Sequence, residues 1–476
     1  MSHDFDVVVV GSGIAGLTAA LSALEAGATV AILERSTPAE SGGNTRYTEA
    51  FLRMKSIEKG ADDLEERLLG DHMGYPDPGV LEDAIKDRSN WSAPMRTLDA
   101  VDGDVVARIS DEAGNTLQWL TTFGMKFDAL PTPFMTQSTT RMSPVGGGWE
   151  LVESLSRRAQ ELGATYFYET TALGLRLDDD GNVCGVRTDV AGTINGRVVL
   201  ACGGFQGNTE MMARYMGPSA LNTRPVARGG HYNKGEGIEM ALAIGAAGAG
   251  NFGLFHAEPI DPRSGVAEAA IFAFPYGILV NKDGERFVDE AAGPVDAWYE
   301  RVTRRIQAQP AGVAYMIMDQ RGFTLPNVMT GIRTDQPPIT AASIDELANR
   351  LEIPVSALTE TVNAYNAACP AGEFDHTAPD GLATTGLTVN KSNWSRSISE
   401  GPFVAYPIIA ANVFTFGGLR IDAEAHVVNR SGREIPGLYA AGEITGMYYS
   451  NYTGSTSVLR GAVFGRIAGA NAAVGA

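Results

Sequence analysis

Three glycines and one carboxylate near the start of the chain have the types and spacing to hold a dinucleotide. Gly11-Ser12-Gly13-Ile14-Ala15-Gly16 is a GxGxxG stretch. Gly11 permits a tight turn out of a strand, Gly13 lets a pyrophosphate approach the backbone, and Gly16 lets a helix pack closely on a sheet. The exposed N–H groups at the helix start meet the phosphate charge. Glu34 follows 23 residues after Gly11, about where an acid accepts hydrogen bonds from a ribose. These groups work only if the surrounding elements aim them. Asp6 to Val10 reads as a buried strand, Leu17 to Gly27 has helical spacing, and Ala28 to Leu33 reads as a second strand ending at Glu34.

The rest of the composition narrows the class. With 476 residues, two or three domains are expected. Hydrophobic residues make up 44% and charged residues 20%, a globular profile. A net charge of −19 argues against nucleic acid or an anionic membrane surface as partner, since both require basic patches. Cys184, Cys202 and Cys369 are scattered and form no CxxC or haem-attachment motif, which fits a reducing compartment. Cys202 reads as a small core residue. No metal-ligand set is read. The chain opens directly on the nucleotide-binding strand and carries no apolar run of membrane-spanning length, so a cytoplasmic enzyme is expected.

Along the chain, a second Gly-rich loop, Ser41-Gly42-Gly43-Asn44-Thr45, follows soon after Glu34. A cofactor touched twice suggests FAD rather than NAD. Residues 50–125 read as largely helical, and 126–148 as a Pro-, Thr- and Met-rich loop before an amphipathic helix at about 149–162. Ala172 to Leu177 and Val183 to Thr188 form an expected hairpin. A further hairpin is expected over Ile278 to Phe287, a helix over Tyr299 to Gln309, a strand at Val313 to Met318, and two helices over Ser343 to Leu351 and Pro354 to Ala368. His256 to Pro259 reads only as a polar, Pro-bearing segment. A small-residue helix closes the chain.

Taken together and in order, the GxGxxG with Glu34, the Ser41–Thr45 loop, Leu200-Ala201-Cys202-Gly203-Gly204-Phe205, Asn281 to Glu290 and Gly437 to Glu443 resemble the family of fumarate reductases, succinate dehydrogenase flavoprotein subunits and 3-ketosteroid dehydrogenases. Ala308 to Asp319, Tyr365 to Ala368, Phe374 to Thr377 and Gly417 to Leu419 are most similar to the tricarballylate dehydrogenase branch. The resemblance implies an α/β fold: an FAD-binding Rossmann-like (GR2-type) domain, residues 1–250 and 414–476, interrupted by an α+β capping domain, residues 251–413. It assigns Gly11, Gly13, Gly16 and Glu34 to the AMP half of FAD, Ser41, Gly42, Gly43, Asn44 and Thr45 to the pyrophosphate and flavin side, and Ala172 to the adenine region. Glu443 goes to the ribityl chain, with Gly203 and Gly442 close by. Ser457, Val458 and Leu459 put the positive end of the last helix near the flavin. The loop offers no His for a covalent link, so FAD is expected to be non-covalent.

The family's chemistry moves a hydride between a substrate carbon and flavin N5, and a proton at the neighbouring carbon. His256 matches the position where fumarate reductases hold a substrate carboxylate, and Arg321 their proton-donating Arg. Tyr452 resembles the ketone-polarising Tyr of ketosteroid dehydrogenases, and Phe414 stands where fumarate reductases have a second His. Arg224, Arg228 and Arg460 are further candidate carboxylate partners. The expected activity is desaturation of a C–C bond next to a carboxylate or ketone in a small substrate, a tricarballylate-like acid or a cyclic keto acid, with an unidentified electron acceptor. An enoate reductase is the alternative, and an electron-transfer flavoprotein a more distant one.

Overall fold

Strand Ser2–Val10 lies at the centre of the first sheet because its valines have nowhere drier to go. Val7, Val8 and Val9 are fully buried, each contributing about 1.5–3 kcal/mol by leaving water. In this computed structural model, which describes residues 2–73, 90, 102–130 and 141–474, that strand pairs in parallel with Val30–Leu33 on one side and Thr193–Leu200 on the other. Outward from these lie Thr165–Phe167, Glu434–Ala440 and His426–Val428. The Ala172–Leu177 and Val183–Thr188 hairpin forms where expected and attaches to Thr193–Leu200. Parallel strands buried on both faces, joined through helices, are the α/β arrangement expected from the sequence.

Two helices converge on the C-terminal edge of this sheet. Ile14–Glu25 follows the Gly-rich turn, and Ser457–Val474 returns from the far end of the chain. They cross almost backbone to backbone: a Cβ on Gly465 would lie 2.3 Å from the Ala15 carbonyl oxygen, and one on Gly469 would lie 2.0 Å from that of Ala19. The turn itself needs glycine at residue 11, where φ is +105° and a Cβ would sit 2.5 Å from the Ala201 carbonyl oxygen. Packing therefore brings the starts of both helices to one place.

The second sheet is mixed and mostly antiparallel, in the order Phe255–Ile260, Phe403–Thr415, Val313–Met318, Ile278–Asn281, with Ile339–Ala341 and Arg224–Pro225 also on the long Phe403–Thr415 strand. The expected hairpin over Ile278 to Phe287 forms as a short one: Val280 bridges Arg286 in antiparallel fashion and the Asn281 N–H donates to the Glu285 carbonyl at 3.0 Å, while Ile278–Asn281 pairs on its other side with Val313–Met318. Helices Ile344–Leu351 and Val355–Ala368 cover one face and Val295–Gln307 the other. His256 to Pro259 is a strand, not merely a polar segment. Helices at Leu64–Met73 and Gly103–Thr122 bear out part of the helical reading of 50–125, but residues 50–63 are not helical; 74–89 and 91–101 lie outside the described residues, as do 131–140 of the 126–148 loop, whose described ends pair as strands Phe127–Ala129 and Met142–Pro144. Among the described residues no helix is long and apolar enough to cross a membrane.

Candidate functional site

Two adjoining cavities open where the sheets meet. The first is bordered by the Gly-rich turn and by the start of the last helix. It is lined by Gly11, Gly13, Glu34, Gly42, Gly43, Asn44, Thr45, Ala172, Gly203, Gly442, Glu443, Ser457 and Val458, all picked out from the sequence. Gly16, Ser41 and Leu459 line neither cavity. Gly16 serves the packing beneath, its Cβ position being 1.9 Å from the Gly11 carbonyl oxygen. The Ser41 hydroxyl donates to the Pro38 carbonyl at 2.9 Å, and Leu459 is fully buried.

Local bonds shape this lining. Thr45 Oγ1 accepts the Ile14 N–H at 3.1 Å, which ties the second Gly-rich loop to the first helix. Glu34 accepts from Ser12 and from the Ser36 N–H at 2.9 Å. Glu443 accepts from the Thr415 N–H at 3.0 Å and from Asn233 Nδ2 at 3.0 Å. Burial nevertheless raises its carboxyl to about 7. The lining fits a bound FAD: Asn44 Oδ1 and two nitrogens of Arg460, Nε and Nη2, are buried without a hydrogen-bond partner. Such groups await an acceptor or donor that the protein itself does not supply.

The second cavity, about 710 Å³, meets the first at Thr48, Glu268, Phe414 and Ser457, which line both. His256 and Tyr452 line it, as expected, and Tyr299 joins them. His256 and Phe414 are paired residues on adjacent antiparallel strands. The His256 and Tyr452 rings lie 4.3 Å apart between centroids. The Tyr299 hydroxyl is 3.2 Å from His256 Nε2. Burial lowers the His256 imidazole to about 4, so it is neutral at physiological pH. A neutral ring makes a weak anchor for a carboxylate but can accept a hydrogen bond from the Tyr299 hydroxyl. Burial drives Tyr299 upward, keeping its phenol protonated.

Tyr452 caps the last helix. Its oxygen accepts the Thr456 and Ser457 N–H groups at 3.1 and 3.2 Å and its hydroxyl donates to Ser457 Oγ at 3.1 Å. Its own N–H donates to Glu300 Oε2 at 3.0 Å, from the same helix that carries Tyr299. An oxygen receiving two amides is a better proton donor to a carbonyl than a bare phenol.

Arg321 is corrected. It lines neither cavity; its guanidinium pairs with Asp319 at 2.6 Å and donates to the Ser397 carbonyl at 2.6 Å. The strand before it points it into the polar loop 397–400 instead of at the site. Arg224 donates to the Ser264 carbonyl at 2.8 Å, and Arg228 is exposed. Arg460 lines the first cavity, not the second. The guanidinium groups on the second cavity are Arg141, 3.3 Å from Asp296, and Arg333, 2.8 Å from Glu49. Burial raises Glu258 to about 7 and Glu268 to about 8 on the same wall. Nothing in the local sequence marks Tyr299, Arg141 or Arg333; a helix at Tyr299 is legible, its cavity-facing side is not.

The family described as the FAD binding domain matches residues 6–68 and 78–458. The chain is 28% identical to NADH:acrylate oxidoreductase of Vibrio harveyi over 98% of its length, and spans only half of that protein. It is 28% identical to vinyl phenol reductase of Lactiplantibacillus plantarum, covering 99% of this chain and 97% of that one. It is 27% identical to 4-oxocyclohexanecarboxylate 2-dehydrogenase of Sinomonas cyclohexanicum, with 96% and 90% covered. Among solved structures, an open flavocytochrome c3 fumarate reductase superposes with a TM-score of 0.77 at 25% identity, covering 99% of this chain and 78% of that one. A 3-ketosteroid-Δ4-(5α)-dehydrogenase of Rhodococcus jostii RHA1, solved with 4-androstene-3,17-dione, gives 0.69 at 26%, with 99% and 97% covered.

Proposed function

The chain belongs to the FAD-binding domain family, and from that premise we propose that it is a dehydrogenase that introduces a C=C bond beside the carbonyl of a small cyclic ketone or keto acid. The observation that carries this reading is the Tyr452 hydroxyl, held by two helix-terminal amides where the two cavities meet. A relative named for 4-oxocyclohexanecarboxylate and a neighbour solved with a steroid diketone support a ketone substrate. In the same reading, residues 1–250 and 414–476 hold FAD and 251–413 cap it.

FAD supplies the hydride acceptor. The chain's residues do the rest. The Tyr452 proton turns from Ser457 Oγ to the substrate carbonyl, making the adjacent C–H acidic. Tyr299 is the group placed to relay that proton away from the substrate carbon, with the neutral His256 imidazole orienting its hydroxyl from 3.2 Å rather than storing the proton. Phe414 and Phe272 give the cavity apolar walls suited to a ring. Arg333, at the rim beside Glu49, offers a contact for a carboxylate substituent. The electron acceptor that reoxidises the protein is a separate partner.

A reductase running the same transfer backwards is the second reading, favoured by the names of the acrylate and vinyl phenol enzymes. Anaerobic mixing separates them: saturated cyclic ketones should bleach the yellow protein, whereas a reductase would be bleached chemically and recover its colour with an enone or enoate.

A further inference from the structure

We propose that Arg460 holds a fixed positive charge against the redox-active end of FAD and sets how strongly the bound cofactor oxidises. The residue is 1% exposed and lines the first cavity. One of its nitrogens, Nη1, donates to the Thr445 carbonyl at 3.1 Å, while Nε and Nη2 are buried without a partner. A guanidinium does not shed its proton, so this is a buried charge with two unused donors. Such a group is costly unless something compensates it. The Tyr448 ring, 4.6 Å away, and the Phe414 ring, 5.6 Å away, do so in part. An acceptor entering the cavity would complete the shell.

The position says which end of FAD that acceptor belongs to. Arg460 sits in the first turn of the last helix with its guanidinium 5.6 Å from the Phe414 ring, and Phe414 and Ser457 are shared with the substrate cavity. The flavin must face that junction to meet substrate. Two-electron reduction by hydride leaves extra negative charge on the flavin pyrimidine. The helix start is poorly placed to answer it alone, because Tyr452 already takes the Thr456 and Ser457 amides. Glu443, on the same lining, accepts from Thr415, Gln206 and Asn233. Arg460 is left as a cation with donors free for the reduced cofactor.

The test reads the cofactor and not turnover. FAD-loaded wild type, Arg460→Lys and Arg460→Met are titrated with sulfite, which adds through sulfur to flavin N5 and sends its electron pair to N1–C2=O. Their two-electron potentials are measured alongside. Arg460→Met should weaken sulfite binding at least tenfold and lower the potential correspondingly, about 30 mV per tenfold; Arg460→Lys should fall between. Unchanged sulfite affinity and potential in Arg460→Met would overturn the proposal. If that variant does not retain FAD, the wild type decides. Its reduced flavin should keep the anionic spectrum on acidification through neutrality, and conversion to the neutral form there would equally overturn it.

Discussion

The Tyr299 hydroxyl stands 3.2 Å from His256 Nε2, joining a helix and a strand that are 43 residues apart in sequence. The imidazole is neutral because burial lowers it to about 4. In the proposed reaction the neutral ring holds the Tyr299 hydroxyl in place to relay the substrate proton. Replacing Tyr299 with Phe should slow substrate reduction of the flavin by about 10²–10⁴. The wild-type rate should hold steady at neutral pH and fall as the medium is acidified toward about 4, where His256 fills with a proton. Stopped-flow traces across pH check both; a Tyr299→Phe variant as fast as wild type would remove the residue from the reaction.

In the proposed reaction Tyr452 acts on the carbonyl rather than on the C–H bond. Tyr452→Phe should therefore lower flavin reduction by about 10²–10³, the usual loss of one such donor, with FAD content unchanged. It also removes the acceptor for the Thr456 and Ser457 amides, so about 1 kcal/mol of stability should go with it. Rate measured against flavin stoichiometry separates the two effects.

Glu258, Glu268 and Glu443 are held near or above neutrality by burial. Each binds its proton more tightly folded than unfolded. Their contribution is complete below the unfolded value of about 4.5 and declines as pH rises through 7 to 8. Thermal unfolding of the holoprotein should show this alkaline loss, and Glu268→Gln should flatten it. A melting temperature that rises from neutral to alkaline pH would contradict the assignment.

Arg321 is a structural residue, tied to Asp319 and the 397–400 loop. Arg321→Ala should leave flavin reduction by substrate within about twofold and destabilise the protein by about 1–2 kcal/mol, since buried Asp319 loses a partly exposed partner. A large kinetic loss at full stability would return Arg321 to the site.

FAD should also leave the protein on acid precipitation. The loop at Gly43-Asn44-Thr45 has no His to form a bond with it. A yellow pellet with a colourless supernatant would show a covalent link.

The nucleotide half was legible because its signals are local. Gly11, Gly13 and Glu34 are fixed by a turn and two short strands, and all three line the first cavity. The long strand Phe403–Thr415 was not legible. It is buried almost throughout, so it lacks the alternation that marks a strand, and Pro407 sits in its middle opposite Tyr315. Missing it hid the pairing of His256 with Phe414. Tyr299 was invisible for a related reason: the face a helix turns to a cavity depends on distant packing, here on the strand that carries His256. Arg321 was misplaced because its strand was right but the loop 397–400, which supplies its partners Ser397 and Ser399, comes from a distant part of the chain.

Anaerobic titration of the purified yellow protein with cyclic ketones and keto acids, followed by flavin absorbance, bears on the proposed direction without intermediaries. At least one saturated cyclic ketone should bleach the flavin and emerge as its enone. No bleaching by any of them, with rapid recolouring of chemically reduced protein by a matching enone or enoate, would contradict the dehydrogenase reading and make the reductase direction the working one.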